Sequence, residues 1–121
     1  VSQVANLVDG LLVTGFPYDV HDRVEEMTRL FGAFLGQARA LRRLGSAALD
    51  LCYIAAGRFD GFWEQSLKPW DVSAGGLLVE EAGGLVTGMD GSPFESTAGH
   101  LVASNGHLHK KILEVIASVN V

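Results

Sequence analysis

Cys52 is the single cysteine in 121 residues, which excludes an internal disulfide framework and suits a reducing cytoplasm, the expected location. Long apolar runs are also missing: stretches such as Leu77 to Val79 fall far short of the roughly 20 residues a membrane span needs. No basic start followed by an apolar stretch opens the chain, so no secretory signal is expected. The first residue is Val rather than Met, which raises the expectation of a segment upstream. Basic residues are in deficit, with nine Lys and Arg against fourteen Asp and Glu and a formal charge of −5, which argues against nucleic acid as a partner. That balance is compatible with gathering a divalent cation, but ordinary solubility explains it equally. Neither an internal repeat nor a low-complexity tract interrupts the chain.

What is present is the composition of one globular domain, 48% hydrophobic and 19% charged, long enough to bury a core. Its elements alternate in type, which predicts an α/β domain with a mixed sheet flanked by helices. Leu11 to Thr14 reads as a strand closed by Gly15 and Pro17. Val24, Met27, Phe31, Phe34, Leu35 and Ala38 recur every three or four positions and predict a helix from about Asp22 to Ala38. Ser46 is an N-cap candidate for a second helix through Ala47, Leu51, Ile54 and Ala55, ending near Gly57. Phe59, Phe62 and Trp63 suggest a short aromatic strand with Glu64 at its end. Pro69 precedes a third helix that begins near Trp70 or Asp71 and stops at Gly83 and Gly84. Leu85 to Thr87 and His100 to Ala103 have strand character, separated by a turn-rich loop over Gly88 to Pro93. Leu108, Ile112, Val115, Ile116 and Val119 share one face of a final helix.

The most informative stretch runs from Lys68-Pro69-Trp70-Asp71 through Gly75-Gly76 to Glu81-Ala82-Gly83-Gly84. It puts a carboxylate in the first turn of a helix, where unpaired N–H groups and the helix dipole favour its ionised form. Such an oxygen ligand suits a hard cation, although position alone equally describes a helix-start aspartate. The same run resembles the C-terminal signature of the inositol monophosphatase family, Trp-Asp followed by a small-residue helix start and Glu-Ala-Gly-Gly. The resemblance extends through Arg42, Gly45 to Ala48 and Ala55 to Glu64 upstream, and through Gly91, Pro93, Phe94 and Val102 to Asn105 downstream. It implies the fold of the C-terminal domain of the sugar phosphatases and a Mg²⁺-dependent hydrolysis of inositol monophosphate or a similar polyol phosphate. By that resemblance Asp71 is a magnesium ligand, Glu64 contacts a substrate hydroxyl, and Gly45, Ser46 and Ala47 form a turn that contacts substrate. The last assignment has physical sense, since N–H groups at a helix N-terminus favour oxygen-rich or anionic ligands, while simple capping by Ser46 accounts for the turn as well.

The family's Asp-Pro-Ile/Leu-Asp-Gly-Thr metal motif and its upstream glutamate have no counterpart here; Asp9-Gly10, Asp60-Gly61 and Asp90-Gly91 lack the flanking residues. Residues 1–121 are therefore expected to form a C-terminal domain without the N-terminal metal-binding half, inactive alone and exposing a face the missing half would cover. In the family, the reaction implied is metal-assisted in-line attack of water on a phosphate monoester. The expected partners are a small sugar or polyol phosphate, the missing half and a second copy in a homodimer, with no membrane. Fructose-1,6-bisphosphatase and phosphoadenosine phosphatase relatives share the signature, and a non-catalytic scaffold acting by partner contact is the alternative of a different class. The spacings of His21, His100, His107 and His109 do not make a zinc set, and all four read as surface or capping residues. Cys52 reads as a small buried hydrophobe. Arg42 and Arg43 read as solvated, or as facing a phosphate or a partner subunit. Gly75 and Gly76 lack the Lys-Ser/Thr of a phosphate-binding loop and instead suggest a close helix-to-sheet approach.

Overall fold

The computed structural model describes residues 1–119. Its elements are β1 (Leu11–Thr14), α1 (Val24–Leu35), β2 (Ala40–Arg42), α2 (Ala47–Ala55), β3 (Gly61–Gln65), α3 (Pro69–Glu81), β4 (Leu85–Thr87), β5 (His100–Ser104) and α4 (His109–Val119). The strands form one mixed sheet in the order β2-β1-β3-β5-β4. β1 runs parallel to both β2 and β3, whereas β5 is antiparallel to β3 and β4. No described helix is long and apolar enough to cross a membrane.

Alternation along each central strand sends successive side chains to opposite faces. Leu12, Trp63 and Val102 join one buried cluster with Leu30 and Phe34 of α1 and Ile112 and Ile116 of α4. Val13, Phe62, Leu101 and Ala103 join the other with Leu51 and Ile54 of α2 and Val72 and Val79 of α3. Two helical layers thus cover the sheet, and only the α2/α3 layer carries the residues singled out for chemistry.

Sequence periodicity placed most elements but not all of their limits. α1 spans Val24–Leu35 rather than Asp22 to Ala38, because residues 20–22 make a separate 3₁₀ turn and Gly36 caps the C-terminus. The following Ala40–Arg42 forms β2, a strand absent from the sequence reading. The aromatic strand starts at Gly61, since Asp60 is occupied in tying β3 to β1: its carboxylate accepts from the Leu11 amide at 2.7 Å, and its own amide donates to the Leu11 carbonyl at 2.8 Å. Gly75 and Gly76 permit a close approach, but not of helix to sheet. A Cβ at Gly75 would lie 2.6 Å from the Leu51 side chain on α2, and one at Gly76 would lie 2.9 Å from the Phe94 ring.

Two polar side chains bind distant parts together. Asn105 donates to Ser2 Oγ at 3.0 Å and to the Val4 carbonyl at 2.7 Å, while its own oxygen accepts from the Leu108 amide. His109, expected at the surface, is buried between β4, β5 and α4. Its Nε2 lies 2.8 Å from Thr87 Oγ1 and its Nδ1 lies 2.8 Å from Ser104 Oγ. Thr87 donates to the Gly88 carbonyl and Ser104 accepts from the Gly106 amide, so a neutral imidazole protonated on Nε2 satisfies every group. Burial accordingly pushes the His109 pKa down to about 4. His100 accepts from the Met89 amide, and His21 and His107 are exposed. Cys52 is half-buried rather than fully buried, because it lies beside, not within, the Leu51 and Ile54 stripe of α2.

Candidate active site

The N-terminus of α2 opens one wall of a cavity of about 320 Å³. Gly45 has φ +92°, a left-handed conformation that turns the chain out of β2 and toward the helix. Ser46 follows with extended backbone, and its Oγ accepts from the Leu49 amide at 3.3 Å. Capping by Ser46 therefore occurs, as the sequence predicts, and Gly45, Ser46 and Ala47 nevertheless line the cavity. The positive end of the α2 dipole faces that space.

The opposite wall carries the two carboxylates singled out in the sequence. Glu64 lies in β3 against the backbone of Gly15 at the end of β1, so closely that a Cβ there would fall 2.2 Å from Glu64 Oε1. Burial raises its pKa to about 7, with the charges of Asp50 and Asp71 adding to the effect and Arg43 opposing it. Asp71 stands in the first turn of α3, where its Oδ2 accepts from the Lys68 amide at 2.9 Å. Its other oxygen makes no hydrogen bond among the described residues. The structure thus brings Gly45, Ser46, Ala47, Glu64 and Asp71 to one cavity.

The geometry adds a third acidic group that sequence reasoning missed. Asp50, one turn into α2, is 1% exposed, and neither of its carboxylate oxygens has a hydrogen-bond partner. Burial pushes its pKa up to about 6, offset in part by Arg43. The signal was available, because Ala47, Asp50, Leu51 and Ile54 fall at helical spacing on the buried face. Arg43 lines the cavity with its guanidinium 5.9 Å from the centre of the Phe16 ring; Arg42 is exposed on the edge strand.

Three carboxyl groups set against one guanidinium give the region a negative balance that fits a cation. The free Asp71 oxygen and its half-exposed setting fit one ligand of a hard metal ion. Among the described residues, no cluster of three or more His, Cys, Asp or Glu side chains is placed to hold an ion. Asp71 can therefore supply one corner of a coordination shell and no more. A separate cavity of about 680 Å³ lies on the far side of Ser66, lined by Arg23, Gln65 and His100 among others.

Comparison with known proteins supplies the context. The model of the inositol monophosphatase family matches residues 1–120. A protein of Arabidopsis thaliana named phosphatase IMPL1, chloroplastic, is 47% identical over 117 residues, which are 97% of this chain and 32% of that protein. The Nus factor SuhB of Pseudomonas aeruginosa is 45% identical over 118 residues, covering 96% of this chain and 44% of the relative. The solved inositol monophosphatase of Anabaena superposes with a TM-score of 0.93 at 42% identity, covering 98% of this chain and 49% of that one. The chain thus spans a third to a half of the length of these relatives.

Proposed function

We propose, from the premise that the chain belongs to the inositol monophosphatase family, that it is the C-terminal portion of a Mg²⁺-dependent phosphatase acting on inositol monophosphate or a similar polyol or sugar phosphate. The observation that supports this reading is the convergence of Glu64, Asp71 and the first turn of α2 on one cavity. In it, Glu64 accepts a hydrogen bond from a substrate hydroxyl, and burial against Gly15 fixes the direction of that bond. The amides of α2 and the Ser46 hydroxyl face the polar, anionic side of the ester. Asp71 contributes one carboxylate to Mg²⁺, whose chemistry when bound is to neutralise developing charge and acidify water. Further metal ligands come from a preceding half of the polypeptide, and this segment alone releases phosphate at background, because one carboxylate adds little to the water shell of a hard octahedral ion.

On this reading the working protein is a cytoplasmic homodimer, and the preceding half covers Trp70, Leu77 and Leu78, which are exposed here. The alternatives within the class are fructose-1,6-bisphosphatase and phosphoadenosine phosphatase activities. A non-catalytic scaffold is the second reading, favoured by the relative named as a Nus factor and by the exposed apolar side chains.

The test is phosphate release from inositol 1-phosphate with and without Mg²⁺, by this chain and by a polypeptide that includes the preceding half. The longer protein is expected to be active and metal-dependent. In it Asp71→Asn should cost on the order of 100-fold in turnover, the equivalent of a few kcal/mol of lost charge stabilisation. Glu64→Gln should act mainly on preference among phosphate esters. Robust Mg²⁺-dependent turnover by the 121-residue chain alone would overturn the division of labour between the halves, and an inactive longer protein would favour the scaffold.

A further inference from the structure

We propose that Arg23 is a positioning residue: from the start of α1 it clasps the turn that follows Glu64, and so fixes Glu64 relative to Asp71. The inference rests on the roles given to those two carboxylates above, and it concerns the connection over residues 65–70.

Ser66 is the reason a clasp is needed. Its φ is +59°, and it is the one non-glycine residue with positive φ among the described residues. A side chain in that left-handed region crowds the backbone, so the conformation persists only where surrounding contacts hold it. Packing does not supply them: Ser66 is exposed and stands between two cavities, the candidate site on one side and the 680 Å³ space on the other. Downstream, Leu67 is buried and its amide donates to the Gly99 carbonyl at 2.8 Å. Upstream, Gln65 ends β3 opposite His100.

Within the turn itself, the side chain that reaches in from another element is Arg23. Its guanidinium donates to Gln65 Oε1 and, at 3.3 Å, to Ser66 Oγ. Its remaining N–H groups are oriented by Glu26, at 3.0 and 3.2 Å, and the guanidinium lies 3.7 Å from Asp19. A planar fork with five donors serves these partners together, which a lysine ammonium on a flexible stem does not. Release of the fork lets residues 65–66 relax toward the right-handed region. The end of β3 then shifts relative to α3, and the Glu64 carboxylate moves away from the hydroxyl it is built to meet.

Two measurements test this. The first follows amide hydrogen exchange of Gln65 to Lys68 in this chain, for the native protein, Arg23→Ala, Arg23→Lys, Ser66→Gly and the Arg23→Ala/Ser66→Gly pair. Arg23→Ala should accelerate exchange there about tenfold, the equivalent of one charge-assisted hydrogen bond, and leave α4 unchanged. Ser66→Gly should restore most of the protection, since glycine needs no clasp at positive φ. Arg23→Lys keeps a partner for Glu26 and should still show the acceleration, so it decides the matter if Arg23→Ala does not fold. Unchanged exchange in both Arg23 variants, or no rescue by Ser66→Gly, overturns the proposal. The second is steady-state kinetics of Arg23→Lys in the longer, two-part protein: KM for inositol 1-phosphate should rise about tenfold with kcat within roughly twofold. A fall in kcat at unchanged KM overturns the positioning role. If the native two-part protein shows no turnover, it is the functional reading that fails, and the exchange measurement still decides the clasp.

Discussion

On one face of the sheet, Phe34 of α1 stacks on Trp63 with ring centroids 4.0 Å apart, and Leu12, Leu30, Ile112 and Ile116 fill the space around them. On the other, α2 and α3 meet over Gly75, Asp50 is buried with no partner, and Glu64 is held where its charge is disfavoured. The first face is an apolar core; the second packs an apolar cluster of its own, from Val13 and Phe62 to Leu51 and Val79, and adds to it a buried carboxylate without a partner beside a cavity. The difference locates the cost of the site in one layer, while both layers bury apolar side chains that stabilise the fold.

The largest expected effect is on the core face. Phe34→Ala removes a fully buried ring and its stacking on Trp63, and should destabilise by about 3–5 kcal/mol in chemical denaturation. A loss below about 1 kcal/mol would show that the Phe34 and Trp63 stack does not anchor the α1/α4 layer.

The two faces also differ in the sign of their pH dependence. His109 has a folded pKa of about 4 against an ordinary value of 6.5, so the unfolded chain binds the extra proton between those values. Its stabilising contribution is present above pH 6.5 and is lost as the pH falls to 4, roughly 3 kcal/mol in all. Asp50 runs the other way: with a folded pKa near 6 against 3.8, it favours the folded state at low pH and costs up to roughly 3 kcal/mol as the pH rises through 6. Glu64, with a folded pKa of about 7 against an ordinary 4.5, acts in the same direction as Asp50, so the two together outweigh His109 and the native stability falls as the pH rises between 4 and 7. His109→Gln should therefore leave a protein whose unfolding midpoint falls as the pH is raised over that range. Asp50→Asn should make that fall shallower than in the native protein, because Glu64 is then left to oppose His109 alone, and should raise the midpoint at pH 8 relative to the native protein. Identical profiles for the two variants would break the contrast between the faces.

A smaller effect is expected at the cap of α2. Ser46→Ala removes the acceptor for the Leu49 amide and should cost about 1 kcal/mol in thermal or chemical unfolding.

The core face was legible in sequence because α1 and α4 carry apolar residues at one helical period, and the strands between them alternate. The Ser46 cap was legible because it occupies a local, punctuated position at a helix start, whereas Asp71 was distinguished from an ordinary helix-start aspartate by the family resemblance of its motif. Neither route could find Arg23, whose partners Gln65 and Ser66 lie more than forty residues away along the chain. β2 escaped because three residues, one of them Arg42, carry too little period to register. His109 was misread because spacing tests for a metal set say nothing of burial between two hydroxyl groups. Asp50 holds a core position of α2, but a carboxylate at that register is ordinarily solvent-facing, so periodicity of apolar residues does not include it.

The tie from Asn105 to Ser2 and Val4 bears on how the protein is made. The segment leading into β1 is among the first of these residues to leave the ribosome, yet its lock is a side chain translated about a hundred residues later. β1 itself pairs with β3 across roughly fifty residues. Such distant pairings form late and slowly. Until β5 and Asn105 emerge, the nascent chain carries β3 with an open edge and the apolar side chains of the sheet uncovered, an aggregation-prone form.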